Sequence, residues 1–143
     1  MSSKASTSIW RLASDICLMK LFTLEEANAL LPAVRRVVEK IRGAHAQVAA
    51  SQEAAREAAA GAQLGGGGMA GGPQYVRALT ALAGRVGQLE ELGVQLKDYE
   101  RGLVDFPALR EGRLVLLCWQ WGEGDRIEWW HDLEAGFAGR QPL

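Results

Sequence analysis

RLVLLCWQW, residues 113–121, is the stretch that decides how the rest of the chain is arranged. Its branched and aromatic residues predict a β-strand. Alternate positions put Val115, Leu117, Trp119 and Trp121 on one face and Leu114, Leu116, Cys118 and Gln120 on the other. Both faces are largely apolar, so the strand is expected to be central in a sheet and covered on both sides. Downstream, Gly122-Glu123-Gly124-Asp125 reads as a tight turn and Arg126 to His131 as the returning strand. A two-residue turn at Glu123-Gly124 sets the register: Trp119 opposite Glu128, Cys118 opposite Trp129, Leu117 opposite Trp130 and Leu116 opposite His131. His131 then shares a face with Cys118. Upstream, Leu103 to Phe106 reads as a short strand stopped by Pro107, and Gly102 ends the preceding helix.

The first part of the chain predicts helices. Thr23 and Glu26 stand at capping-box spacing, and Phe22 sits where a hydrophobic staple would meet Ala27. Pro32 either kinks the helix or opens a new one. Val34, Val37, Ile41, Ala44 and Val48 form a heptad seam, followed by the alanine-rich AASQEAAREAAA. After a flexible glycine-rich turn at 61–73, a return helix carries Val76, Leu79, Leu82, Val86, Leu89, Gly93 and Leu96 at similar spacing. Two helices of about 27 residues, each ~40 Å long, pack as a coiled-coil-like antiparallel hairpin. Gly84, Gly87 and Gly93 each cost a helix up to ~1 kcal/mol, which predicts close approach of another helix from this chain or a partner. The fold class is therefore α+β: a long helical hairpin over residues 19–100 and a small antiparallel sheet with a C-terminal tail over 102–143.

Composition narrows the classes of function. The 143-residue chain is 48% apolar and 23% charged with a net charge of −1, as expected of one soluble globular domain with no electrostatic call for nucleic acid or an anionic membrane. The basic residues Arg35, Arg36, Lys40 and Arg42 are interrupted by Glu39 and read as a solvated helix face. Cys17 and Cys118 are too few and too differently placed for a disulfide framework or zinc finger, which favours a reducing cytoplasm. No apolar run reaches the ~18 residues of a membrane span. Residues 1–18 show neither periodicity nor a turn and are expected to be a disordered extension before a single domain, 19–143, beginning at Met19.

Residues that carry chemistry are concentrated near the C-terminus: Asp105, Cys118, Glu123, Glu128, His131, Asp132, Glu134 and Arg140. His131 and Glu134, three apart, share a face if the chain turns helical, and with Asp105 offer nitrogen and oxygen ligands for a divalent ion, Cys118 or Glu123 standing nearby. A Cys118–His131 nucleophile pair is the weaker reading, because a cysteine between leucine and tryptophan in a strand is usually inert core. The glycines at 65–68 lack the Gly-Lys-Ser/Thr of a phosphate loop, so no nucleotide cofactor is expected. Trp119, Trp121, Trp129 and Trp130 have no basic groove around them and read as core or subunit interface. Arg140, in GFAGR, is expected to fold the tail back onto an acid such as Asp105 or Glu128.

FTLEEANALLP (22–32), GLVDFPA (102–108), LCW (117–119), WH (130–131) and GFAGR (136–140) together resemble a bacterial family known as domain of unknown function 2203. The resemblance covers Met19 to Leu143. It implies a short cytoplasmic protein of no assigned activity whose C-terminal signature includes Asp105, Cys118, Trp119, Glu123, His131 and Arg140. Two functional expectations follow. The first is a non-catalytic, self-associating module that binds a protein partner, since one hairpin covers only one face of the central strand. The second is a metal-binding protein or metal-dependent enzyme using Asp105, His131 and Glu134.

Overall fold

A computed structural model describes residues 19–63 and 72–143; the expected N-terminal extension and most of the glycine-rich turn lie outside them. Helix α1 (Leu24–Gln63) and helix α2 (Gly72–Glu91) pack together and are followed by an antiparallel sheet of five strands in sequential order: β1 (Gln95–Asp98), β2 (Leu103–Arg110), β3 (Arg113–Gln120), β4 (Trp129–Asp132) and β5 (Gln141–Pro142). The α+β architecture is as the sequence predicts. No helix among the described residues is long and apolar enough to cross a membrane.

Helix α1 begins where its cap demands, with the Thr23 hydroxyl accepting the Glu26 amide at 3.0 Å. It runs 40 residues without a break, so Pro32 sits inside it. Proline leaves the carbonyl of the residue four earlier without its helical donor. Here that residue is Asn28, whose side-chain oxygen accepts the Ile127 amide from the sheet at 2.8 Å. The buried positions Ala27, Leu31, Val34, Val38 and Ile41 recur at heptad spacing. Val38 thus takes the core place expected for Val37, which is only partly buried. In α2 the inner residues are Ala78, Leu82, Val86 and Leu89, while Val76 and Leu79 are exposed.

The return helix ends earlier than its hydrophobic pattern suggests. The Gly93 amide donates to the Glu90 carbonyl and the Val94 amide to the Leu89 carbonyl, with Gly93 at φ 83°. That is a Schellman stop. Val94 is buried in the core beneath the helices, and Leu96 belongs to β1. Gly84 and Gly87 have open space around the position of a Cβ, so close helix approach does not explain them. Gly102 is different: at φ 64°, an added Cβ would lie 2.7 Å from Val38 Cγ1 and 2.8 Å from the Trp121 Cβ. Gly102→Ala is expected to cost at least ~2 kcal/mol, through left-handed strain and overlap. Gly87→Ala should stabilise by roughly 0.5–1 kcal/mol. Urea midpoints of the two variants check both signs.

Strand β2 continues through Pro107 instead of stopping there. In an antiparallel strand a residue's nitrogen and carbonyl point to the same side. The Pro107 carbonyl accepts the Phe22 amide at 2.7 Å on the side away from β3, so the missing N–H removes no bond from the β2–β3 ladder. Glu111 and Gly112, at φ 54° and 76°, make the two-residue turn into β3. The next connection is wider than expected. Residues 121–128 form an irregular loop and β4 begins only at Trp129, so no tight Glu123-Gly124 turn forms. The register nonetheless holds: Cys118 faces Trp129, Leu117 faces Trp130 and Leu116 faces His131.

Strand β3 is central, with two covered faces. Val115, Leu117 and Trp119 join Val104, Phe106, Ala108 and Trp130 against the helices. On the other face Asp105, Leu116, Cys118 and His131 are buried within the single chain. The tail helps close that face: a 3-10 turn (Phe137–Gly139) and β5 bring Arg140 over the Trp129 ring, 5.0 Å from its centre. The face assigned to a second copy of the chain is therefore covered by the chain itself.

Candidate functional site

Asp105, Cys118 and His131 come from the neighbouring strands β2, β3 and β4. Asp105 pairs directly with Cys118, and His131 faces Leu116 two residues along. The period of two turns all three side chains to the face opposite the helices. One carboxylate oxygen, the thiol sulfur and one imidazole nitrogen lie within 4.8 Å of one another, all buried. Glu134, by contrast, lies exposed in the turn after β4 and is not in this group. Its helical relation to His131 does not arise, because the chain turns at Asp132–Ala135 without forming a helix.

The hydrogen bonds of His131 define its chemistry. Nδ1 lies 2.7 Å from the Asp132 carbonyl, which only accepts, so Nδ1 carries a proton. Nε2 lies 3.1 Å from Asp105 Oδ2. A neutral imidazole would then direct a bare lone pair at a carboxylate oxygen. Some positive centre, a proton or a metal ion, has to lie between these two atoms. The second Asp105 oxygen, Oδ1, is buried with no hydrogen-bond partner among the described residues.

Cys118 is held as a thiol. Burial, followed by the nearby Asp105 charge, pushes its pKa up to about 12, with Arg140 acting in the opposite direction. That removes the nucleophilic thiolate from the metal-free protein at neutral pH. The folded state holds this proton more tightly than the unfolded one. The resulting stability is complete below pH 9.0 and is lost as pH rises from there towards about 12. Metal-free protein is expected to lose up to about 4 kcal/mol more than Cys118→Ala across that window. Urea midpoints of the two proteins, measured below and within it, give the difference.

Arg140 closes the site. Its guanidinium grips both oxygens of Glu123, at 2.6 and 2.8 Å, and lies over the Trp129 and Phe137 rings. Burial opposes its charge, but the Glu123 hydrogen bonds and, at the high pH where it forms, the Cys118 thiolate outweigh it and raise its pKa. Glu123 is thus the acid that anchors the tail, in place of Asp105 or Glu128. It also accepts the Gln120 amide at 2.9 Å. The tryptophans divide between the faces. Trp119 and Trp130 are core, Trp121 stands edge-on to Trp119 at 6.4 Å, and Trp129 lies beneath Arg140. Sequence reading overlooked Gln120 and the Asp132 carbonyl; the shared face of Gln120 and Cys118 was the available signal for the first.

The six residues of the C-terminal signature thus lie at this site or, for Trp119, on the opposite face of the same strand. The family model for "Uncharacterized conserved protein (DUF2203)" matches residues 20–143. The chain belongs to the DUF2203 family. No curated protein and no solved structure matches it. In this DUF2203 chain Asp105, Cys118 and His131 are the buried polar groups that converge on one point.

Proposed function

We propose that the protein binds one divalent transition metal ion, zinc by preference, through Asp105, Cys118 and His131. The carrying observation is the convergence of three buried donors in which the His131 tautomer is fixed by the Asp132 carbonyl and Nε2 points at a carboxylate. Metal-bound histidines characteristically donate their other ring N–H to such an oxygen. A nitrogen, oxygen and sulfur set suits zinc and disfavours magnesium or calcium, which take oxygen ligands. Two zinc bonds of about 2.0–2.1 Å at a tetrahedral angle span roughly 3.3 Å. Nε2 and Oδ2 stand at 3.1 Å already. The remaining separations, within 4.8 Å, need closure on the order of 1 Å, within reach of a side-chain rotation.

Calorimetric titration of chelator-stripped protein tests this reading. One equivalent of zinc is expected to bind, releasing close to two protons, one from the Cys118 thiol and one from between His131 Nε2 and Asp105 Oδ2. Cys118→Ser should weaken binding on the order of 100-fold. Absence of tight binding, or equal affinity in Cys118→Ser, would overturn the assignment.

A further inference from the structure

Three protein donors leave a tetrahedral ion one position short. Resting on the metal-site reading above, we infer that this fourth position holds an exchangeable protic ligand, water in the resting protein, received by the side-chain oxygen of Gln120. The buried polar atoms without hydrogen-bond partners among the described residues include Asp105 Oδ1, Gln120 Oε1 and Arg140 Nε. All three belong to residues of this site. Asp105 faces Cys118 across the ladder, Gln120 is two residues along the same face, and Arg140 lies over the ring of Trp129, the partner of Cys118 in β4. Burying such atoms unpaired is costly, so an occupant that satisfies the two acceptors is favoured.

Their chemistry specifies the occupant. Arg140 Nε–H is a donor, for which a metal-bound Cys118 sulfur would be a good acceptor. Gln120 Oε1 and the free oxygen of Asp105 are acceptors, and they require a ligand with hydrogens to give. A metal-bound water has two such hydrogens and an oxygen lone pair for the ion. Glu123 cannot readily take the position, because both of its oxygens are engaged by Arg140 and one also by the Gln120 amide. With every side chain of the trio buried, exchange is confined to small ligands.

Cobalt-substituted protein tests the assignment, with azide as the probe that displaces water. A thiolate-to-cobalt charge-transfer band should form, and azide should then shift the visible ligand-field bands in a saturable way. Gln120→Leu removes an acceptor from the water-bound form and is expected to tighten azide about five- to tenfold. Gln120→Glu keeps an acceptor, adds negative charge and should bind azide more weakly than wild type. A purely structural role for Gln120 would not produce opposite shifts in the two variants. If the charge-transfer band forms but azide leaves the spectrum unmoved, the fourth position is closed and the inference fails while the metal site stands. If no charge-transfer band forms, both fail.

Discussion

Trp119→Ala is expected to destabilise the protein by about 3–5 kcal/mol, the range for truncating a buried aromatic residue. Trp119 is 1% exposed and lies in the core between β3 and the helices. Its indole N–H donates to the Gly124 carbonyl at 3.0 Å, and the Arg35 guanidinium lies 5.6 Å from its ring centre. Arg35 in turn binds the Gly124 carbonyl and Asp125, so the 121–128 loop is tied to α1 around this ring. Trp121 touches the same cluster but is only half buried, and Trp121→Ala should cost clearly less. Urea unfolding followed by far-ultraviolet circular dichroism compares them. Equal losses would show that the layers are not held together chiefly through Trp119.

His131→Ala is expected to remove about 3–5 kcal/mol from the metal-free protein, because it empties a buried ring's place and leaves the buried Asp105 carboxyl without its partner. The two side chains are 4% and 2% exposed, so solvent offers Asp105 little relief. Adding Asp105→Asn to the His131→Ala background replaces the unpartnered carboxyl with a neutral amide and should recover part of the loss. Two residues in direct contact are expected to be non-additive in this way. Strictly additive losses would mean that the pair is not coupled, and would remove the geometric basis of the site. The same His131→Ala variant should lose tight zinc binding.

Much of this arrangement is legible in the chain before any coordinates. The alternation in residues 113–121 places β3 at the centre, and glycines near the following turn give the β3–β4 register that puts His131 on the Cys118 face. The register survives the wide loop because it is maintained by which side chains can be buried. Other features were concealed by patterns that fit two structures. Leu96 continues a heptad but lies in a strand, because the Gly93 stop has already ended the helix. Pro107 suggested a strand end only on the assumption that its nitrogen faces a neighbour requiring a donor. Arg140 points to a tail folded back onto an acid, but Gly136, Gly139 and Pro142 carry no periodicity to show that the tail covers the second face or that the acid is Glu123. Glu134 was favoured over Cys118 by helical spacing that the turn after β4 does not realise.

The assignment of Asp105, Cys118 and His131 as metal ligands is tested most directly by X-ray absorption at the zinc edge of the loaded protein. One sulfur scatterer at about 2.3 Å and three nitrogen or oxygen scatterers near 2.0–2.2 Å are expected, with the sulfur shell lost in Cys118→Ser. A shell of nitrogen and oxygen alone in the unmodified protein would contradict the assignment.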